Sequence, residues 1–132
     1  MTPESPGAFV RRFVAAMQAS DMEAIASGFD PDVRAFITNA AGGTDYVEGS
    51  EALLERFPDF ASMADSFEAV TTQVHEIDDR SVLAMVEIHA RRKGRSLHNF
   101  AGILIHLSAG GRMSEYRMVE ALPEESDRFW SA

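Results

Sequence analysis

Between Ser81 and Leu122 the chain carries three consecutive runs, VLAMVEIHAR, LHNFAGILIHL and MSEYRMVEA, separated by the turn sequences RKGR and SAGGR. Runs rich in apolar and β-branched residues, bounded by glycine-containing turns, read as antiparallel strands joined by hairpins. With Lys93 and Gly94 as a two-residue loop, Arg92 pairs with Arg95, His89 with His98 and Glu87 with Phe100. The second turn, Ser108 to Arg112, sets Leu107 against Met113. Even spacing from there sets Leu104 against Tyr116, Gly102 against Met118 and Phe100 against Glu120. Paired residues share a face. One face is therefore expected to carry Met85, Glu87, His89, His98, Phe100, Gly102, Leu104, Tyr116, Met118 and Glu120. The other carries Val82, Ala84, Val86, Ile88, Leu97, Ala101, Ile103, Ile105, Met113 and Val119, with Asn99, Glu115 and Arg117 as its polar members.

A sheet with one solvated face alternates apolar and polar residues, whereas this one sets an apolar face against a mixed one. Both faces then need cover. Helices can cover only one in 132 residues, so the outer face is expected to be buried by a second copy in a homodimer. That length gives one domain, residues 1–132, with a single core.

No segment approaches the roughly 20 apolar residues of a membrane helix. MTPESPGAF lacks the basic start and apolar run of a signal peptide, which points to the cytoplasm. There is no cysteine, and hence no disulfide or thiolate chemistry. A net charge of −9 argues against nucleic acid and anionic membranes as partners. The basic cluster Arg91, Arg92, Lys93 and Arg95 falls at a hairpin tip and reads as a solvated turn.

Upstream, Ser5 and Pro6 form a helix start, followed at helical spacing by Phe9, Val10, Phe13, Val14 and Met17, a stripe that packs on the sheet. Ser20 and Glu23 have capping-box spacing for a second helix, MEAIASGF, which Gly28 can end. DPDVRAFITN reads as a turn and a strand, AAGGTD as a loop, and Ser50 as the cap of a third helix, EALLERF, stopped or bent by Pro58. FEAVTTQVHEI is a further strand. The tail PEESDRFWSA is a short amphipathic turn whose Phe129 and Trp130 cover an edge or the dimer seam. The layout is α+β, with helices on one side of a curved antiparallel sheet.

Three segments, NAAGGTDYVEGSEALLERF, EIHARRKGRSLHNFAGILIHL and GRMSEYRMVEALPEESDRFW, together resemble the nuclear transport factor 2-like superfamily and, within it, the small bacterial SnoaL-like proteins. The most specific pieces are the strand ending in Asn39, the helix start Gly49 to Leu53, the turn Arg91 to Arg95, and Glu115-Tyr116-Arg117. The resemblance implies a conical α+β barrel whose sheet wraps around N-terminal helices and leaves a deep pocket, and commonly a dimer through the outer face of the sheet. The superfamily includes isomerases, cyclases, dehydratases and epoxide hydrolases as well as members without catalysis, so fold alone does not decide function. In its hydrolases and cyclases the last strand carries an aromatic residue, a basic residue and a catalytic aspartate. Tyr116 and Arg117 match the first two, and Met118 replaces the third. The arginine and aspartate of an earlier strand would fall at Glu87 and His89.

If the mixed face lines the pocket, Glu87 and Glu120 flank Phe100, and His89 faces His98. Glu87 and His89 are then candidate acid–base residues, with Asn39, Met85, His98, Phe100, Tyr116, Met118 and Glu120 contacting a small hydrophobic ligand. Glu87 and His89 could equally be a hydrogen-bonded pair at the pocket rim, and Asn39 could lock a loop. A metal site built from Glu87, His89 and His98 has suitable ligand types but only three of them, so neither metal nor cofactor is expected. Two functions remain open: a binder of a small hydrophobic molecule, or a cofactor-free isomerase, cyclase or dehydratase.

Overall fold

The structure, a computed structural model, describes residues 4–131; Met1 to Pro3, which open the N-terminal segment read above, and Ala132 lie outside the described residues. Ser5 caps the first helix, α1 (Pro6–Gln18), by accepting from the Ala8 amide, with Pro6 in the first turn, where its missing N–H costs nothing. Phe9, Val10, Phe13, Val14 and Met17 are buried as the spacing predicts, and α1 lies across the sheet. α2 (Met22–Ser27) follows. Its cap is Asp21, which accepts from Ala24 N, and not Ser20. Ser20 stands at φ 53 and turns its hydroxyl to the Ala61 amide.

β1 (Phe29–Thr38) and β2 (Thr44–Glu48) form a hairpin whose second strand lies partly in what the sequence presents as a loop. α3 (Ser50–Leu54) starts at Gly49, whose φ of 94 suits glycine, without a side-chain cap from Ser50. A further short helix, α4 (Phe60–Met63), follows Pro58, capped by Asp59. The long strands β3 (Ser66–Asp78), β4 (Ser81–Arg92) and β5 (Arg95–Leu107), then β6 (Met113–Glu120) and α5 (Pro123–Ser131), complete the chain.

The six strands form one curved, unclosed sheet in the order β2-β1-β6-β5-β4-β3. β1 runs parallel to β6 and every other neighbouring pair is antiparallel, so the α+β class stands while the all-antiparallel sheet is corrected to a mixed one. The parallel pair is possible because a long crossover separates β1 from β6 in sequence.

The first hairpin has the predicted register, with Arg92 on Arg95, His89 on His98 and Glu87 on Phe100. Lys93 (φ 51) and Gly94 (φ 76) form its tight turn. The second hairpin departs from prediction. Leu107 meets Met113, but His106 then pairs with Glu115, leaving Ser114 as a bulge whose hydroxyl donates to the His106 carbonyl. Leu104 therefore pairs with Arg117, Ile105 with Tyr116, Ile103 with Met118 and Ala101 with Glu120. A one-residue slip exchanges the faces of a strand. Tyr116, Met118 and Glu120 thus join the apolar face, while Glu115, Arg117 and Val119 move to the face of Glu87, His89, His98, Phe100 and Met85.

The hairpin tip is not a freely solvated turn. Arg92 donates to the carbonyls of Met63 and Phe129, and Arg95 donates to that of Arg128, tying the tip to α4 and α5. Phe129 packs on Ala90 and Leu97, and Trp130 lies against Phe60 and Phe67, on the helix side of the sheet and not on its outer face.

Candidate functional site

The inner face of β4, β5 and β6 is built by strict alternation: Val86 and Ile88; Leu97, Asn99, Ala101, Ile103 and Ile105; Tyr116, Met118 and Glu120. Above it α1 contributes Met17, and the segment from α3 to α4 contributes Phe57, Pro58 and Phe60. All of these but Ile105, together with Ile37, Phe67 and Trp130, line a cavity of about 580 Å³. That is the size class of small-molecule sites. Phe13 and Phe57 meet edge to face at 5.6 Å, and Tyr116 packs against them at 5.7 and 5.9 Å.

Polar side chains also line this cavity, among them Asn39, Asp45, Arg56, Asn99, Glu120 and Asp127. Asn99, 1% exposed, donates from Nδ2 to Glu120 Oε1 (2.6 Å), and its Oδ1 accepts from the amides of Phe100 (2.9 Å) and Leu122 (3.0 Å). It thus fixes the Glu120 carboxylate and the point where the chain leaves β6 for α5. Asn39, just past β1, donates to Asp45 Oδ1 (3.0 Å) and accepts from the amides of Ala41 and Gly43, while Arg56 pairs with Asp45 at 3.2 Å. Asn39 therefore locks the β1–β2 loop and also lines the cavity. The Asn39 hydrogen bond and then Arg56 hold the Asp45 carboxyl below the usual range.

Tyr116 is buried, yet among the described residues its hydroxyl makes no hydrogen bond, and no fully buried side-chain polar atom is left without a partner. The hydroxyl is therefore the part of the ring that meets open cavity. Burial first, and the Glu120 charge second, push its pKa up, so the phenol remains a donor throughout the usable pH range. The sign of the linkage follows. Above about pH 10 the unfolded chain releases a proton that the folded chain retains, so this group costs about 1.4 kcal/mol of stability per pH unit until the folded pKa is reached. Below pH 10 it costs nothing. Tyr116→Phe is expected to remove that component of the alkaline decline, a flattening readable from urea midpoints between about pH 9.5 and 11.

Of the residues expected to contact ligand, the structure brings Asn39, Tyr116, Met118 and Glu120 to one cavity. Met85, Glu87, His89, His98 and Phe100 stand on the opposite face of the sheet, because the Ser114 bulge separates the two sets. Gly102 pairs with Met85 on that outer surface. There His98 Nε2 lies 2.5 Å and His89 Nε2 3.4 Å from Glu87 Oε1, with the two imidazoles stacked at 4.3 Å. The His98 hydrogen bond lowers the Glu87 pKa, with smaller contributions from the charges of His98 and His89. Sequence reasoning missed Asn99, Phe57, Phe60 and Trp130 as cavity residues. For Asn99 the signal was present, a single amide in an otherwise apolar period-two run.

A curved α+β sheet closed by helices over a mainly apolar cavity with polar groups among its lining defines the nuclear transport factor 2-like class of cone folds. The chain belongs to the SnoaL-like domain family, which matches residues 10–116. Solved structures similar to it include Bal32a from a soil-derived mobile gene cassette, at 25% identity over 92% of this chain and 93% of that one, with a TM-score of 0.76. A putative SnoaL-like polyketide cyclase from Jannaschia sp. CCS1 is 14% identical over 100% and 99%, with a TM-score of 0.74. RV0760c from Mycobacterium tuberculosis, in complex with estradiol-17beta-hemisuccinate, is 15% identical over 87% and 93%, with a TM-score of 0.70. No curated protein matches the sequence.

Proposed function

We propose that this chain binds a small hydrophobic molecule in the inner-face cavity, with Tyr116 donating a hydrogen bond to an oxygen of the ligand. The observation that carries this reading is the unpartnered phenol in a mainly apolar chamber of about 580 Å³. Met118, Ile103, Phe57 and Trp130 supply flat and adaptable apolar contacts, while Asn39, Asn99 and Glu120 supply the polar end. The steroid ester held by the M. tuberculosis relative is a ligand of this size and chemistry. Cofactor-free proton transfer is the second reading. It rests on Glu120, a carboxylate held by Asn99 in the same cavity as the Tyr116 donor. Glu87 and His89 have no part in it, because they lie across the sheet.

The protein acts as a homodimer in the cytoplasm on this reading. Val70, Leu83, Met85, Phe100 and Val119 form an exposed apolar patch on the outer face, with Val119 66% exposed, and such a patch favours a second copy. Among the described residues no helix is long and apolar enough to cross a membrane.

Native mass spectrometry of freshly purified protein tests both parts. The expected result is a dimer carrying a reproducible extra mass that departs on denaturation. A monomer overturns the seam. The binding proposal fails if there is no adduct and estradiol-17β-hemisuccinate and other planar hydrophobic probes leave Trp130 emission unchanged.

A further inference from the structure

The outer-face cluster of Glu87, His89 and His98 has no role in the cavity chemistry. We propose that it is a binding site for a divalent transition-metal ion of the zinc type, held by Glu87 Oε1, His89 Nε2 and His98 Nε2 with a fourth position open. The backbone register produces the arrangement. Glu87 and His89 are two apart on β4 and so project from one face, and His98 on β5 is directly opposite His89. The three ligand atoms lie within 4.8 Å of one another. Two imidazoles and a carboxylate are the donor set of three-ligand zinc sites, and imidazole and carboxylate together suit zinc and its neighbours better than calcium or magnesium.

Further features fit an ion. Both Nε2 atoms already aim at the same carboxylate oxygen, at 2.5 and 3.4 Å, so a cation can take the place now filled by shared hydrogen bonding. Among the described residues neither Nδ1 has a protein partner. The ring proton can therefore move to Nδ1 and leave each Nε2 lone pair for the metal. In the single chain the histidine side chains are about half exposed, 48% and 52%, so the rings can turn to converge. The site also sits where it can act. β6 ends opposite Ala101, so the His89–His98 rung belongs to the part of the β4–β5 hairpin without a β6 neighbour. A metal bridge there would staple the two strands across that rung.

The test uses tag-free full-length protein freed of metal by chelator. Co²⁺ is titrated while visible absorption is followed, and Zn²⁺ uptake is measured by competition with the Co²⁺ signal. The expected result is a tetrahedral Co²⁺ spectrum at one ion per chain, bleached by Zn²⁺. His98→Ala, His89→Ala and Glu87→Gln should each weaken binding at least about 100-fold, since even outer partners of metal ligands are worth 10–100-fold. His75→Ala, a histidine elsewhere on the sheet paired with Gln73, should bind like the parent. All four substituted side chains are exposed or half exposed, so the fold is kept, and circular dichroism checks this. Absence of a Co²⁺ spectrum in the parent, or equal uptake by parent and His98→Ala, overturns the proposal.

Discussion

Asn99→Leu is expected to lower the stability of the protein by about 3 kcal/mol, although leucine matches asparagine in size and suits an apolar face. The Asn99 side chain is almost wholly buried and uses both of its polar ends. Without it the Leu122 amide loses its acceptor at 3.0 Å and the Glu120 carboxylate loses its donor at 2.6 Å. An orphaned buried donor costs about 1–3 kcal/mol, and a hydrogen bond to a charged group contributes about 1.5–3 kcal/mol. For a chain of this length that loss corresponds to a fall in Tm of about 10 °C.

The same bonds hold the departure point of α5, so Trp130 should lose its fixed place beside Phe60 and Phe67 and its emission should move to longer wavelength. Asn99→Asp separates geometry from charge. It keeps the acceptor for the two amides but sets a second carboxylate against Glu120. The like-charge pair favours the protonated form, so this variant should regain stability relative to the parent as pH falls below about 5. Thermal melts at pH 7 and pH 4.5 decide between a lost hydrogen bond and a packing defect.

How far the sequence could be read is visible at the two hairpins. The first is specified by Lys93-Gly94, because a two-residue turn with left-handed φ at both positions allows one register, and every predicted pair is present. The second has a five-residue connection, and the bulge that matters lies beyond it, at Ser114. Nothing in MSEYRMVEA announces that residue 114 falls out of the ladder, since both registers place alternating apolar residues on each face. The consequence was large because the period of a strand is two. One unpaired residue moved Tyr116, Met118 and Glu120 from the company of Glu87 and His98 to that of Asn99 and Ile103.

Other features divide along the same physical line. The stripe from Phe9 to Met17 was legible because a buried helix face must repeat at helical spacing. The cap of α2 was not, because Ser20 and Asp21 both suit a cap and only the hydrogen bond to Ala24 selects Asp21. The parallel pairing of β1 with β6 is a tertiary choice with no local signature. The cavity residues Phe57, Phe60 and Trp130 come from two distant segments, the α3-to-α4 stretch and α5, that meet only in the folded sheet.

Filling the cavity should abolish ligand binding without unfolding the protein, and Ala101→Phe is the substitution that does it. Ala101 lies at the middle of the inner face, paired with Val86 on one side and Glu120 on the other, and it lines the cavity. In a close-packed core an added phenyl ring forces strain of about 1–3 kcal/mol. Here it has a chamber of about 580 Å³ to enter, and the apolar ring covers surface that the alanine leaves open. Stability should therefore change by less than about 1.5 kcal/mol. Affinity for a planar hydrophobic probe should fall by at least about 100-fold, since a ligand in a pocket of this kind buries most of its own surface and tolerates no ring in its place. Trp130, the single tryptophan and a cavity residue, reports occupancy directly. Unchanged probe affinity in a folded Ala101→Phe protein would place the ligand elsewhere, on the outer patch around Phe100 and Val119. Loss of binding together with a native melting curve would locate it beside Tyr116 and Asn99.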